Sequence, residues 1–354
     1  MNSTQQLHQL GQRLWLDNIT RTMLADGTLA RYIRELAVTG LTSNPAIFEQ
    51  AIKQSNAYDA AIRARWPTAS GAEEVFFDLA LQDLRQAATL FRPLHDTSDG
   101  TDGWVSLEVS PLLARDTAGT VASARQLHGR AKSPNLFIKI PGSAEGTQAI
   151  EDTIFGGIPV NVTLLFSRAH YVAAAEAYVR GLERRAAAGL DLDVASVASM
   201  FVSRWDAAVS AKVPPDLNNK LGVAIAASTW HAHQALLASP RWQALAAAGA
   251  RPQRLLWAST GTKDPAISAT YYVEALALAG TINTLPEKTL LAFASEGTAR
   301  ATILPSEADN AALLGRFRQE GIDTDALAAD LQHAGIEAFA KSWASLMACI
   351  VAKR

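Results

Sequence analysis

Cysteine, long apolar runs and clusters of positive charge are all scarce in this sequence of 354 residues. The single Cys349 excludes an internal disulfide bond and a cysteine-based metal cluster, and such usage is typical of the reducing cytoplasm. No uninterrupted apolar run approaches the roughly 20 residues that cross a bilayer, so no membrane partner is expected. A net charge of −2 without a lysine or arginine run argues against a nucleic-acid partner. We therefore expect a cytoplasmic globular protein.

Glycine motifs for nucleotide binding are also missing. No GxGxxG follows the first strand-like segment, and no GxxxxGKS or GxxxxGKT occurs anywhere in the chain. A doubly wound open sheet often carries such a fingerprint, so its absence favours a barrel. Eight short β-rich segments do occur, each followed by a helical pattern. The segments are 14–16, 38–45, 104–109, a strand around Lys139, 158–165, 194–201, 254–259 and 281–285.

This alternation predicts βαβ units and a parallel sheet, and eight such units close into a (β/α)₈ TIM barrel. We predict a single α/β domain over residues 1–354, with its barrel core at about 13–300 and C-terminal helical decoration at about 301–354. Extra helices flank the barrel at both ends. The predicted helices are 4–12, 20–37, 45–66, 72–92, 117–131, 147–152, 167–187, an alanine-rich stretch up to about 238 with a break at Pro214 and Pro215, 265–279, and 287–354 with breaks near Gly297, Gly321 and Gly335.

The segment LFIKIPGSAEG (136–146) places Lys139 between apolar neighbours. By itself it is an ordinary half-buried strand whose lysine faces solvent. Strands of a parallel barrel are covered on both faces, however, so there this lysine would point into the barrel. A buried ammonium group is unfavourable unless it pairs or sheds its proton, and the resulting free amine attacks carbonyl carbons. Lys139 is therefore the candidate nucleophile.

Polar residues recur where the predicted strands end, which is where barrel enzymes carry their active sites. Each carboxylate taken alone is equally well a solvated or helix-capping group. Together with a lysine, two carboxylates suit imine catalysis, because they carry protons while the imine accepts the electrons of a breaking C–C bond. The strand-end residues are Asp17, Asn44, Glu108, Lys139, Asn161, Thr163, Ser199 and Ser259.

Two basic residues follow late strands and would bind an anion such as phosphate, namely Arg204 and Lys263. The alternative for Arg204 is a surface ion pair with Asp206 or another neighbour. Backbone N–H groups of the glycine-containing loop 259–262 would add further donors for an anion.

Six motifs, in chain order, resemble the transaldolase family. They are GLTSNPAIF (40–48), SLEVSP (106–111), LFIKIPGSAEG (136–146), NVTLLFS (161–167), SMFVSR (199–204) and WASTGTK (257–263). The resemblance covers nearly the whole chain and is closest to the longer bacterial branch, which is also found fused to glucose-6-phosphate isomerase; no isomerase part is present here. It implies a (β/α)₈ barrel with a Schiff-base lysine on the fourth strand, and neither a cofactor nor a metal.

The resemblance also implies the catalytic roles. Lys139 would form an imine with C2 of a ketose phosphate, and Asp17 would act as acid and base on the C4 hydroxyl. Glu108 would work with a water that Thr163 also holds. The implied reaction moves dihydroxyacetone from sedoheptulose 7-phosphate to glyceraldehyde 3-phosphate, giving erythrose 4-phosphate and fructose 6-phosphate, in the non-oxidative pentose phosphate pathway.

By the same resemblance, Asn44, Asn161 and Ser199 would hold the dihydroxyacetone unit, while Arg204 and Ser259 would bind phosphate. One position departs from the family. Many relatives carry an arginine two residues after the equivalent of Ser259, where this chain has Gly261. Our own inference is that Lys263 supplies the missing charge.

Three other interpretations each account for part of the sequence. A fructose 6-phosphate aldolase would release free dihydroxyacetone instead of passing it on, and Glu108 favours transfer. A metal-dependent hydrolase would use His231 and His233, but their segment looks helical, which points the two imidazoles about 200° apart. A non-catalytic barrel would bind sugar phosphates without turnover. The exposed faces of the C-terminal helices (326–352) are candidates for contact in a homodimer.

Overall fold

Eight parallel strands close into a barrel in chain order, in a computed structural model that describes residues 1–354. The strands are β1 Arg13–Leu16, β2 Val38–Leu41, β3 Trp104–Glu108, β4 Leu136–Pro141, β5 Val160–Leu165, β6 Ser196–Phe201, β7 Arg254–Ala258 and β8 Ile282–Leu285. β8 pairs with β1, which completes the barrel. The predicted (β/α)₈ barrel is confirmed, and each predicted segment contains one strand.

Helices follow the strands and extend the barrel at both ends of the chain. They are α1 Ser3–Gln9, α2 Arg21–Ala25, α3 Thr28–Leu36, α4 Pro45–Lys53, α5 Asp59–Arg65, α6 Ala72–Thr97, α7 Thr117–Ala131, α8 Ala144–Phe155, α9 Arg168–Ala187, α10 Ser203–Val209, α11 Leu221–Ala238, α12 Pro240–Ala247, α13 Tyr271–Ala275, α14 Glu287–Glu296, α15 Glu307–Gln319 and α16 Thr324–Ala352. Short 3₁₀ turns occur at Trp66–Thr68, Pro111–Leu113 and Pro215–Leu217.

Aromatic side chains fill the amino-terminal half of the barrel interior. Trp15 on β1 and Phe137 on β4 come within 6.0 Å between ring centroids, and Phe137 stacks on Trp104 of β3 at 4.1 Å. Because side chains alternate along a strand, positions two or four residues further on face the same interior. At the carboxyl ends those positions are Asp17, Glu108 and Lys139.

The predicted break at Gly335 is wrong, because α16 runs without interruption through this residue. Gly335 is buried, and a Cβ atom there would lie 2.9 Å from Leu164 Cδ2. The glycine therefore permits close packing of α16 on β5 and does not end the helix. The predicted breaks near Gly297 and Gly321 are confirmed, since both lie between helices.

Several predicted helices are divided or shortened, among them 4–12, 20–37, 45–66 and 265–279. The second divides at Gly27, whose φ of 80° is left-handed and ends α2. In the last, only α13 is helical. Asp264 and Ser268 accept hydrogen bonds from backbone N–H groups two residues ahead, and such local bonds favour turns over helix.

The longest helix, α16, crosses the carboxyl ends of several strands. It packs on α4, on α6 and on β5. Near its start, Gln332 Nε2 donates to the carbonyl oxygens of Gly142 (3.1 Å) and Leu164 (2.9 Å), beside the ends of β4 and β5. Its length and apolar composition would also allow it to cross a membrane, a property that core helices of water-soluble proteins share. Here its buried side chains cover part of the barrel mouth.

Gly40 on β2 is a position where the barrel leaves no room for a side chain. A Cβ atom there would lie 2.7 Å from both the Trp15 ring and the Trp104 carbonyl oxygen. We expect Gly40→Ala to lower the free energy of unfolding by about 1–3 kcal/mol or more, because the added methyl group would clash with backbone atoms as well as with a side chain. Urea denaturation followed by circular dichroism measures the change.

Gly129→Ala is the matched control. Gly129 is exposed on α7, and a Cβ atom there would meet nothing within 4 Å. Alanine should be neutral or stabilise this helix by up to about 1 kcal/mol. Equal destabilisation by the two substitutions would contradict the packing argument for Gly40.

Candidate active site

A cavity of about 140 Å³ opens at the carboxyl ends of the strands. Eight of the ten site residues predicted from the sequence line it, namely Asp17, Asn44, Lys139, Thr163, Ser199, Arg204, Ser259 and Lys263. The other two lie beneath its surface, where Glu108 approaches Lys139 and Asn161 bonds to Ser199. A cavity of about 220 Å³ at the opposite end of the barrel is lined mainly by apolar groups and contains no lysine or carboxylate. The polar cavity is therefore the candidate active site.

Lys139 lies inside the barrel, with only 6% of its side chain exposed. Its Nζ atom donates to the Ser43 carbonyl oxygen at 3.2 Å and lies 3.5 Å from Glu108 Oε2. Strand register explains the proximity, because Glu108, Lys139 and Asn161 are paired directly across β3, β4 and β5. The amine is thus buried, close to a carboxylate, and open to the cavity.

Glu108 is buried, and neither of its carboxylate oxygens has a hydrogen-bond partner. Burial raises the pKa of Glu108 to about 7; the Lys139 charge opposes this rise, and the Asp17 charge adds to it. A carboxyl group that titrates near neutral pH can both accept and donate a proton under ordinary conditions. The pair Lys139 and Glu108 is therefore suited to proton transfer at the amine.

Asp17 is held by the Thr42 hydroxyl, which a second hydroxyl at Thr284 supports; sequence reasoning missed both groups. Thr42 Oγ1 donates to Asp17 Oδ1 at 2.7 Å, and Thr284 Oγ1 lies 2.7 Å from Thr42 Oγ1. Because Thr42 gives its one proton to the carboxylate, Thr284 must donate to Thr42. The position of Thr42 within the motif GLTSNPAIF was the available signal, whereas Thr284 had none beyond its strand.

Amide and hydroxyl groups form a second network. Asn161 Nδ2 donates to Ser106 Oγ (3.1 Å), and Ser199 Oγ donates to Asn161 Oδ1 (2.7 Å). Thr163 Oγ1 is buried without a partner, which leaves it free for a ligand or water. Asn44 caps α4, because its Oδ1 accepts from the Ile47 N–H. Asn44 therefore both caps a helix and forms part of the cavity wall.

The backbone next to Thr163 is unusual. Leu164 adopts a left-handed φ of 58°, and the register between β5 and β6 shifts between Val162 and Leu165. Such irregularities are common beside active sites, where they redirect side chains. Gln332 of α16 stabilises this backbone conformation by donating a hydrogen bond to the Leu164 carbonyl oxygen.

Arg204 does not form the predicted alternative pair with Asp206, so that alternative is wrong. The Asp206 carboxylate instead accepts from the N–H groups of Leu221 and Gly222 and from the Tyr272 hydroxyl. Arg204 has no ion pair, and its guanidinium lies 5.0 Å from the Phe201 ring centroid. Burial lowers the pKa of Arg204, a cost that a bound anion would offset.

Two further groups border the same end of the cavity. Ser259 has a left-handed φ of 54°, and its hydroxyl lies 3.1 Å from the Ser203 hydroxyl. Lys263 is exposed, and Gly261 also lines the cavity. Lys263 therefore lies where its ammonium group can supply the positive charge that an arginine at position 261 would carry.

His231 and His233 lie on α11, as the helical pattern predicted, and not at a strand end. His233 Nδ1 bonds to the Tyr171 hydroxyl at 2.8 Å, whereas His231 Nε2 lies 2.9 Å from the Pro305 carbonyl oxygen. The two imidazoles thus have separate structural partners, which is no basis for a paired metal site.

Comparison with known proteins gives a consistent result. Residues 14–350 match the family model described as transaldolase/fructose-6-phosphate aldolase. A transaldolase of Thiobacillus denitrificans is 46% identical over 359 residues, covering 99% of this chain and 100% of that protein. A transaldolase of Thermobifida fusca is 43% identical, covering 97% and 96%. A transaldolase of Neisseria gonorrhoeae is 40% identical, covering 97% of each.

The raised pKa of Glu108 generates a prediction about stability. An exposed glutamate titrates near 4.5 and Glu108 near 7 in the folded protein, so the unfolded chain ionises first as pH rises. The stability that this difference confers is complete below the unfolded pKa and is lost as pH rises through the folded one. Between about pH 5 and 8 the wild type should lose on the order of 3 kcal/mol more than Glu108→Gln.

Urea denaturation at several pH values measures that loss. Glu145→Gln is the control, because Glu145 is exposed on α8, and it should follow the wild-type curve. Parallel curves for the wild type and Glu108→Gln would contradict the buried, near-neutral carboxyl group.

Proposed function

The chain belongs to the transaldolase/fructose-6-phosphate aldolase family and is a transaldolase, and we propose that it works through an imine between Lys139 and a ketose phosphate. The observation that carries this proposal is the buried Lys139 amine, 3.5 Å from a carboxyl group whose pKa is about 7. An amine so placed can exchange its proton and attack a carbonyl carbon. The proposed donor is sedoheptulose 7-phosphate and the proposed acceptor glyceraldehyde 3-phosphate.

Imine formation begins with addition of the neutral amine to C2 of the ketose. The carbonyl oxygen becomes a hydroxyl group, which leaves as water once protonated. Glu108 is close enough to exchange protons with Nζ, and Thr163 has a free hydroxyl to hold the water. The product is a protonated imine, which attracts electrons from the neighbouring carbon chain.

Cleavage of the C3–C4 bond needs a base at the C4 hydroxyl. Asp17 lines the cavity and is oriented by the Thr42 hydroxyl, so it is the proposed base. As it takes the proton, the C3–C4 electron pair moves toward the iminium nitrogen and an aldehyde leaves. The remaining enamine then adds to the acceptor aldehyde by the reverse of the same steps.

The phosphate groups would bind at the basic end of the cavity. Arg204 is an unpaired cation there, Lys263 is a second, and Ser259 adds a hydroxyl group. Guanidinium groups bind phosphate through two parallel hydrogen bonds, which also orient the sugar chain. The hydroxyl groups of the dihydroxyacetone unit would contact Asn44 and Ser199.

A fructose 6-phosphate aldolase is the alternative, and two observations favour transfer. The relatives reported above all carry the name transaldolase over nearly their full lengths. Glu108 is also present at the position that distinguishes the two groups. The proposed setting is the non-oxidative pentose phosphate pathway in the cytoplasm.

Borohydride reduction tests the imine directly. With fructose 6-phosphate present, reduction should fix a dihydroxyacetone-derived adduct on the peptide that contains Lys139, detected by mass spectrometry. Lys139→Ala should give no adduct and no transfer while retaining the barrel's circular dichroism spectrum. Lys53→Ala, on the exposed side of α4, is the control and should react as the wild type does. An adduct on another lysine would rule out the mechanism.

Phosphate recognition can be tested with Arg204→Met. Loss of a charge-assisted hydrogen bond costs about 1.5–3 kcal/mol, so the KM for glyceraldehyde 3-phosphate should rise about tenfold to a hundredfold. Unphosphorylated glyceraldehyde is the control acceptor, and its KM should change little. The same comparison for Lys263→Met measures whether Lys263 compensates for Gly261. Equal effects on both acceptors would contradict a phosphate-binding role.

A further inference from the structure

One aromatic side chain covers the barrel mouth beside Lys139. Phe339 on α16 is 7% exposed, lines the active-site cavity, and has its ring centroid 5.7 Å from Lys139 Nζ. Phe201 is the other aromatic residue in the lining, but the Arg204 guanidinium lies against its ring. Phe339 is therefore a large apolar surface in the cavity wall beside the reacting amine.

The place of Phe339 is fixed from both sides. Two turns earlier on the same helix face, Gln332 is bonded to carbonyl oxygens beside the ends of β4 and β5. One turn later, Trp343 packs against two phenylalanines of α6. Near the end of the helix, Lys353 Nζ donates to Asp59 Oδ1 at 2.8 Å. The ring thus covers the cavity as part of a rigid, anchored helix.

An enamine on Lys139 has two possible fates. Addition to an aldehyde gives transfer, whereas water diverts it. In the second route C3 takes a proton from water, and the C=C electron pair forms the new C–H bond as nitrogen becomes an iminium. Hydroxide then adds to C2, the C–N bond breaks with its electrons on nitrogen, and the proton of the new C2 hydroxyl group passes to that nitrogen as the ketone forms. The balance is enamine plus one water, giving the Lys139 amine and free dihydroxyacetone.

We propose that Phe339 determines the partition between these fates, by keeping solvent from the enamine until an acceptor aldehyde binds. The inference rests on the imine mechanism proposed above. An apolar ring near the nitrogen excludes the water that would otherwise protonate C3. The basic end of the cavity includes Arg204 and the exposed Lys263, and the ring does not contact either residue's charge as it does the Lys139 amine.

The test is a partition ratio in the full-length enzyme. Fructose 6-phosphate is supplied with erythrose 4-phosphate, and free dihydroxyacetone and sedoheptulose 7-phosphate are both quantified. Phe339→Ala should raise the ratio of released to transferred dihydroxyacetone about tenfold, corresponding to 1.4 kcal/mol between the two routes. Phe339→Leu restores an apolar surface and should keep the ratio within about twofold of the wild type.

Phe293→Ala is the matched control, because Phe293 is fully buried on α14 and does not line the cavity. It should lower stability without changing the ratio. If Phe339→Ala proves too unstable, Phe339→Val should show a smaller rise in the same direction. An unchanged ratio in folded Phe339 variants, or an equal rise in Phe293→Ala, would overturn the inference.

Borohydride trapping separates this result from a failure of the mechanism itself. If both the wild type and Phe339→Ala form the adduct on Lys139 and the ratio is unchanged, only the proposed role of Phe339 is ruled out. Absence of the adduct in the wild type removes the imine, and the inference with it.

Discussion

The burial of Lys139 beside Glu108 is the constraint on which the site depends. Two ionisable groups lie inside one barrel, and between them they have a single hydrogen bond, to the Ser43 carbonyl. Removing charges from water is costly, and a pair separated by 3.5 Å recovers only part of that cost. The pair is therefore poorly satisfied as a salt bridge. Because the pKa of Glu108 is already near neutrality, this poorly satisfied pair can readily exchange a proton.

Strand register and the aromatic layer below make this arrangement possible. Glu108 and Lys139 are direct neighbours across β3 and β4, so their side chains meet without any long or flexible connection. Beneath them the rings of Trp15, Trp104 and Phe137 pack together as an apolar layer. Packing in one half of the barrel thus supports chemistry in the other, as is usual for this architecture.

The features predictable from the sequence are those that depend on local residue patterns and on side-chain chemistry. Alternating strand and helix patterns were sufficient for the barrel, and the barrel then dictated that Lys139 point inward. Contacts between distant segments were not predictable in this way. Phe339 lies 200 residues from Lys139 on a C-terminal helix, and Thr284 is a common residue type without a distinctive pattern. Gly335 was misread because a glycine needed for close packing looks, in sequence, like one that ends a helix.

Helix α16 lies beside both halves of the cavity. Phe339 covers the amine, while one turn earlier the packing at Gly335 leaves room for Arg204, whose Nη1 would lie 3.5 Å from a Cβ atom at that position. In one bound sugar, the length of the carbon chain fixes the distance between the imine carbon and the phosphate group. α16 contacts the residues proposed for both ends, and Gln332 ties it to the irregular backbone beside Thr163. A shift of α16 would therefore affect both the shielding of the amine and the distance between the amine and the phosphate-binding residues.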